Sequence, residues 1–115
     1  MSDREQQITD LQRLTELDRV VHEPARLMIL AFLSVVRRAD FLYLEQQTGM
    51  TRGNMASHLR KLEEAGYVAV EKMFVEKIPR TVYHLTDVGR SAFQAYRGEI
   101  LSVLSSLTPG KDGEI

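Results

Sequence analysis

Apolar residues recur at helical intervals along the first third of the chain. The first stripe, spaced three and four residues apart, consists of Ile8, Leu11, Leu14, Leu17 and Val21. This spacing predicts a helix that ends near residue 22. Pro24 suits the first position of a second helix, because proline lacks an N–H and its fixed φ is helical. The run over residues 27–36 is apolar on nearly every face, which predicts a central helix.

A tight turn separates two helical patterns in the middle of the chain. Phe41 and Leu44 predict a short helix that ends near Gly49, since glycine freely adopts the positive φ of a helix terminus. Thr51 is a suitable N-cap for a further helix over residues 52–65. The inward-facing stripe of this further helix is Met55, Leu59 and Leu62. Two helices joined by such a turn form a helix-turn-helix, whose second helix can enter a DNA major groove.

Two strand patterns follow the helix-turn-helix. Residues 67–75 and 81–85 are rich in β-branched and aromatic side chains, which predicts a hairpin. Pro79 is expected to keep the polar tip, residues 76–80, out of regular pairing. A hairpin at this place makes the fold a winged helix-turn-helix. We therefore expect a mainly α fold with a small β-hairpin wing (α+β) and extra N- and C-terminal helices.

The end of the chain predicts one more helix. Thr86 suits its N-cap, and Pro109 with Gly110 mark its end. Its apolar stripe is Phe93, Tyr96, Ile100, Val103 and Leu107. No repeat or linker composition interrupts the chain, so we expect a single winged helix-turn-helix domain over residues 1–110 and a loose tail over residues 111–115.

The composition is that of one ordinary soluble domain. The chain has 115 residues, of which 43% are apolar and 27% charged, and its formal net charge is −1. Without cysteine it can hold no thiol nucleophile, no redox pair and no thiolate metal site. The acidic and basic residues near the start exclude a signal-peptide core, and no apolar run is long enough to span a membrane. We expect a cytoplasmic protein.

Motifs for catalysis or metal binding are missing from the sequence. It contains no GxSxG, no Walker loop, no GxGxxG and no HExxH. His22, His58 and His84 are too far apart to match a metal-ligand motif. The sequence therefore predicts a protein that is not an enzyme and has neither a metal nor a cofactor.

The outward face of the helix over residues 52–65 carries side chains that suit DNA. Asn54 can bond an adenine edge, and Ser57 can bond a phosphate. Residues 52–61 hold no acid, and their basic side chains, Arg52, Arg60 and Lys61, can bond guanine or phosphate. The alternative interpretation of this helix is a solvated polar face above a core stripe.

The same residues carry a family resemblance. The resemblance rests on residues 51–68 (TRGNMASHLRKLEEAGYV), 79–81 (PRT) and 85–90 (LTDVGR). Over roughly residues 17–98 the chain resembles small winged helix-turn-helix transcriptional regulators related to the MarR and ArsR families. The resemblance implies a homodimeric, prokaryotic regulator, more often a repressor, that binds specific sequences of double-stranded DNA.

The outward face and the resemblance together give the predicted DNA contacts. In the recognition helix, expected in the major groove, they are Thr51, Arg52, Asn54, Ser57, His58, Arg60 and Lys61. In the wing, residues 72–81, the resemblance implies that Lys77 and Arg80 contact the backbone or the minor groove. MarR-type wings often hold an Asp two residues before the wing arginine, but this chain has Ile78 there, so that contact cannot brace Arg80.

The two terminal helices are the predicted dimer interface. The interface residues are Ile8, Leu11, Leu14, Phe93, Tyr96, Ile100, Val103 and Leu107. A small monomer does not easily cover so much apolar surface. A two-fold dimer would hold two recognition helices roughly 34 Å apart, one turn of DNA, and would bind an inverted-repeat operator. Packing of these stripes within one subunit is the alternative.

A protein-interaction module is the alternative function. Winged helices also serve as docking domains, and a net charge of −1 is low for a DNA-binding protein. We expect no separate ligand domain. A small-molecule effector, whose existence the sequence leaves open, would need a pocket at the dimer seam.

Overall fold

A computed structural model describes residues 3–110 and 112–114 of the chain. Within helical residues 3–8 it describes no side chain at positions 3, 4, 7 and 8, so the predicted dimer contact of Ile8 lies outside the described residues. Residues 112–114 have no regular secondary structure, and the other two positions of the predicted loose tail, 111 and 115, also lie outside.

The described residues form five α helices and a three-stranded antiparallel sheet. In chain order the elements are α1 (Asp3–Arg13), a 3₁₀ turn (Leu14–Glu16), α2 (Pro24–Val35), β1 (Ala39–Asp40), α3 (Phe41–Thr48), α4 (Arg52–Glu64), β2 (Val68–Val75), β3 (Ile78–Leu85) and α5 (Asp87–Ser106). The strand order in the sheet is β1-β3-β2, with the β2–β3 hairpin as the wing. The predicted fold class, a winged helix-turn-helix with added terminal helices, is confirmed.

Side-chain caps fix where four of the helices begin, α2 being capped by Glu23. Asp40 starts α3 by accepting the backbone N–H of Tyr43 at 2.8 Å. Thr51 and Thr86 cap α4 and α5, as the sequence predicts, each accepting an N–H three residues further on. Gly49 ends α3 at a φ of 71°, which glycine adopts without strain. Gly49 and the Thr51 cap set the sharp turn between α3 and α4.

The first helix is shorter than its apolar stripe predicts. The expectation of one helix to residue 22 is wrong, because α1 ends at Arg13. A loop follows the 3₁₀ turn, and in it Asp18 accepts the backbone N–H groups of Val20 and Val21 at 2.9 and 3.2 Å. An aspartate that bonds nearby N–H groups competes with the helix for the same donors. Leu17 and Val21 are nevertheless buried, because the loop packs onto the core.

The wing is longer and more regular than the sequence predicts. The turn consists only of Glu76 and Lys77, with φ values of 52° and 68°, and positive φ at both positions is what a two-residue type I′ hairpin turn requires. The expectation that Pro79 stays outside regular pairing is wrong, since it lies in β3 opposite Phe74. Proline fits there because β1 pairs with β3 only near residues 82–83, which leaves one side of β3 unpaired at position 79.

One core joins α2, α3, α4 and the sheet. Its most deeply buried side chains include Leu30 of α2, Leu44 of α3 and the predicted inward stripe of α4, Met55, Leu59 and Leu62. All three stripe residues are at most 1% exposed. Their burial fixes the rotation of α4 about its own axis and turns its polar side chains outward.

The terminal helices form an arm that extends from the core. Arg13 of α1 donates to Glu99 of α5 at 2.6 Å, and Arg13 also pairs with the buried Asp10 at 3.0 Å. The molecule measures 65 × 26 × 21 Å, and its radius of gyration is 18.3 Å. A compact domain of this length has a radius of gyration of about 13 Å. The chain is therefore elongated.

Candidate nucleic-acid interface

The outward face of α4 is available to a large ligand. Its exposed members among the predicted DNA contacts are Thr51, Arg52, Asn54, Arg60 and Lys61. Ser57 and His58 are partly buried. Asn54 lies in the first turn of the helix, where its backbone N–H bonds the Thr51 cap at 3.3 Å. The amide group of Asn54 has no partner among the described residues and can bond a base edge.

Arg52 is held at the start of α4 by two weak contacts with α3. Its guanidinium lies 5.9 Å from the centre of the Phe41 ring and 3.3 Å from a carboxylate oxygen of Glu45. The side chain is 77% exposed, so the ion pair with Glu45 contributes little to stability. A phosphate could replace that carboxylate at small cost.

His58 faces the protein more than the solvent. Its Nδ1 lies 3.2 Å from a guanidinium nitrogen of Arg26 and 3.7 Å from a carboxylate oxygen of Glu23, both near the start of α2. Arg26 also donates to the backbone carbonyl of Val20 at 2.6 Å. These contacts join α4 to α2, and they show a positioning role for His58 that the sequence does not predict.

Glu23 caps α2 in addition to contacting His58. Its carboxylate accepts the N–H of Arg26 at 2.7 Å and caps α2. Burial by itself would raise the pKa of Glu23, but hydrogen bonds from the backbone N–H groups of Arg26 and Ala25 lower it below its ordinary value. The carboxylate therefore remains charged beside His58.

A groove joins the recognition helix to the wing. It has a volume of about 380 Å³ and is lined by Arg52 at the start of α4, by Pro79, Arg80 and Thr81 of β3, and by residues 40–42. The groove places Arg52 and Arg80 on one surface, although 28 positions separate them in the sequence. Arg80 has no carboxylate partner among the described residues. The two predicted contact regions thus meet in space.

The tip of the wing is apolar as well as basic. Lys77 is exposed in the turn. Phe74 beside it is 76% exposed, and Val75 and Ile78 are about half exposed. The sequence does not predict that these apolar residues are exposed, because a strand pattern does not show which end of a hairpin extends beyond the core.

The predicted dimer stripes divide into inner and outer residues. Tyr96 and Val103 are buried within the chain, and Leu14, Phe93 and Ile100 pack partly buried against its core or α1. Leu11 and Leu107 are exposed. Two further leucines of α5, Leu101 and Leu104, are also exposed, although neither belongs to the predicted stripes.

The histidines predicted to bind no metal lie apart from one another. His22 contacts the Tyr96 hydroxyl at 2.8 Å through Nδ1, His58 contacts Arg26, and His84 lies on β3. In the part of the chain that the structure describes, no three acidic or histidine side chains come together as a metal site. None of the described helices is long and apolar enough to cross a membrane.

A winged helix with an exposed, basic recognition helix and wing defines a class of DNA-binding domain. The chain matches the winged helix DNA-binding domain family over residues 25–104 and belongs to that family. The resemblance to regulators related to the MarR and ArsR families is confirmed. The family and the fold are those of transcriptional regulators and not of enzymes.

Relatives extend the comparison along most of the chain. An uncharacterized protein of Methanocaldococcus jannaschii is 34% identical over 89 residues, which are 77% of this chain and 97% of that protein. The structure of a transcriptional regulator homologue from Pyrococcus horikoshii OT3 superposes with a TM-score of 0.77 at 30% identity, covering 84% of this chain and 95% of the other. BpsR of Bordetella bronchiseptica, whose DNA binding is regulated by 6-hydroxynicotinic acid, shares the fold. Its structure superposes with a TM-score of 0.64 at 14% identity, covering 93% of this chain and 82% of the BpsR chain.

Proposed function

We propose that this protein is a homodimeric transcriptional regulator that binds specific sequences of double-stranded DNA. The observation that carries the proposal is the groove lined by both the exposed Arg52 of the recognition helix and the partly buried Arg80 of the wing. Two guanidiniums so placed can hold DNA phosphates beside the major groove that α4 enters. Repression is the sign of regulation that the family resemblance favours.

The proposed contacts divide into base reading and positioning. Asn54 is exposed in the first turn of α4 and has a free amide, so it reads a base edge. Lys61, two turns further along α4, and Lys77 at the wing tip neutralise phosphates. Arg26 and Glu23 hold His58, and through it they fix the angle at which α4 leaves the core.

Dimerisation through the α1–α5 arm completes the proposal. The arm extends from an elongated molecule and carries an outer apolar face formed by Leu11, Leu101, Leu104 and Leu107. A two-fold contact there would cover this face and present two recognition helices to an inverted repeat. The double variant Leu101→Lys and Leu104→Lys should be monomeric by light scattering, whereas Val88→Lys, also exposed on α5 but outside the arm, should remain dimeric.

The test of DNA binding is fluorescence anisotropy with duplexes from upstream of the protein's own gene. Binding should resist a random-duplex competitor and weaken steeply with salt. Asn54→Ala should cost about 1–3 kcal/mol on the operator and almost nothing on random duplex. Lys61→Ala should weaken binding to both and lower the salt slope by about 1, while Arg97→Ala, on α5, should change neither.

Two outcomes would contradict the proposal. Equal losses on operator and random duplex for Asn54→Ala would remove its base-reading role. A folded dimer that binds no duplex would favour the docking-module function, which the apolar wing tip around Phe74 supports independently.

A further inference from the structure

A basic cleft lies between the α2–β1 connection, the two wing strands and the start of α5. It has a volume of about 460 Å³, and its lining residues are Arg37, Arg38, Glu71, His84, Leu85 and Arg90. They come from the α2–β1 connection, from both wing strands and from the first turn of α5. None of the predicted DNA contacts lines this cleft.

The charge of the cleft is strongly unbalanced. Three guanidiniums face a single carboxylate, that of Glu71. Arg38 lies 3.8 Å from Glu71, and both side chains are about half exposed. The guanidiniums of Arg37 and Arg90 have no hydrogen-bond or ion-pair partner among the described residues. Two of the three cations are therefore available to an external anion.

The imidazole of His84 also lines the cleft, beside the three guanidiniums. On β3 it follows Tyr83, which is buried in the core, so its side chain lies on the opposite face of the sheet. Its Nδ1 is buried and has no hydrogen-bond partner among the described residues. That atom is not accessible from the cleft, so a ligand there can contact only the rest of the imidazole ring.

We infer that this cleft binds a small organic anion through a carboxylate or phosphate group. Guanidiniums arranged around a concavity suit the planar, bidentate recognition of such oxyanions. A volume of about 460 Å³ is of the size that holds small-molecule ligands. A bound anion would connect the α2–β1 connection, the wing strands and the start of α5.

The experiment titrates the full chain, without DNA, with inorganic phosphate and separately with succinate, at ionic strength held constant with sodium chloride. Binding is followed by NMR of the arginine Nε–H and His84 ring resonances. We expect saturable shifts for at least one probe. Phosphate alone would point to phosphorylated ligands, succinate alone to carboxylates, and both to oxyanions in general.

Matched variants decide whether the cleft is the site. Arg37→Gln or Arg90→Gln should weaken binding about tenfold or more, because each removes a charge-assisted hydrogen bond. Arg97→Gln, on the same helix as Arg90 but outside the cleft, should bind as the wild type does. Shifts that do not saturate, or that survive in both cleft variants, would overturn the inference.

A measurement of DNA binding by the same variants distinguishes this inference from the proposed function. If neither probe binds and Arg37→Gln weakens duplex binding, the cleft is a DNA-backbone surface and the inference fails while the proposed function stands. If a probe binds the wild type and not Arg37→Gln, the inference stands even where no operator is found.

Discussion

Replacing Gly89 with alanine should destabilise the fold, because α5 approaches a backbone turn too closely there for a methyl group. A Cβ at position 89 would lie 2.0 Å from the carbonyl oxygen of Tyr67 and 2.7 Å from its carbonyl carbon. Ordinary contacts are about 3.5 Å, so the helix and the turn would have to separate by roughly 1.5 Å. Neither atom belongs to a side chain that can rotate away.

The separation would break hydrogen bonds that join the turn to the helix. Thr86 donates its backbone N–H to the Tyr67 carbonyl at 3.1 Å and its hydroxyl to the Gly66 carbonyl at 2.6 Å, which makes two bonds between the turn and the helix. Each bond contributes about 1 kcal/mol, and overpacking costs about 1–3 kcal/mol. We therefore expect Gly89→Ala to lower the free energy of unfolding by about 3–5 kcal/mol.

Gly98, in the same helix, is the matched control. A Cβ at position 98 would meet nothing within 4 Å. Alanine stabilises a helix interior relative to glycine, so Gly98→Ala should raise the free energy of unfolding by about 0.5–1 kcal/mol. Urea unfolding by circular dichroism, at one protein concentration, measures both variants. A Gly89→Ala protein as stable as the wild type would refute the close approach.

Three further predictions follow from single contacts. Tyr67→Phe removes the hydrogen bond from the phenol to Asp18 and should cost about 1.5–3 kcal/mol in the same urea assay. That bond and burial raise the pKa of Tyr67 to about 12, above an unfolded value of about 10. The wild type should therefore lose stability as pH rises through this range, and the variant should lose less. Equal losses of stability would contradict this reasoning. The hydrogen bond from Arg13 lowers the pKa of Glu99. The contribution of this bond to the α1–α5 contact should therefore be present at neutral pH and lost as pH falls through the folded-state pKa of Glu99. NMR of the α1 amides should show this transition in the wild type and not in Glu99→Gln. Met55→Ala should cost about 2–5 kcal/mol in the urea assay, and a loss under 1 kcal/mol would mean that the space beneath α4 collapses without leaving a cavity.

The helix-turn-helix could be predicted from the sequence because its local and long-range signals agree. Caps at Thr51 and Thr86, a positive-φ glycine at position 49 and a buried stripe in α4 each occupy the positions that short-range rules assign. The strand β1 escaped prediction because its two residues, Ala39 and Asp40, are extended only through pairing with β3. No local pattern can show such a short strand.

The candidate site could be predicted only in part, because some of its contacts join distant positions. The outward face of α4 follows from helical periodicity, which the sequence contains. The orientation of His58 depends on Arg26, 32 positions earlier, and the sequence alone cannot show that these side chains meet. The same holds for Arg52 and Glu45, which belong to different helices.

The faces of α5 show most clearly what periodicity leaves open. A repeat of three and four residues identifies apolar stripes, but it does not say whether a stripe packs against its own chain or against a partner. The ion pair of Arg13 with Glu99 fixes α1 on one side of α5, and Tyr96 and Val103 are buried within the chain. The proposed dimer must therefore use the outer face with Leu101 and Leu104. Charged residues at those two positions should separate the subunits, whereas the same change at Val103 would unfold the arm.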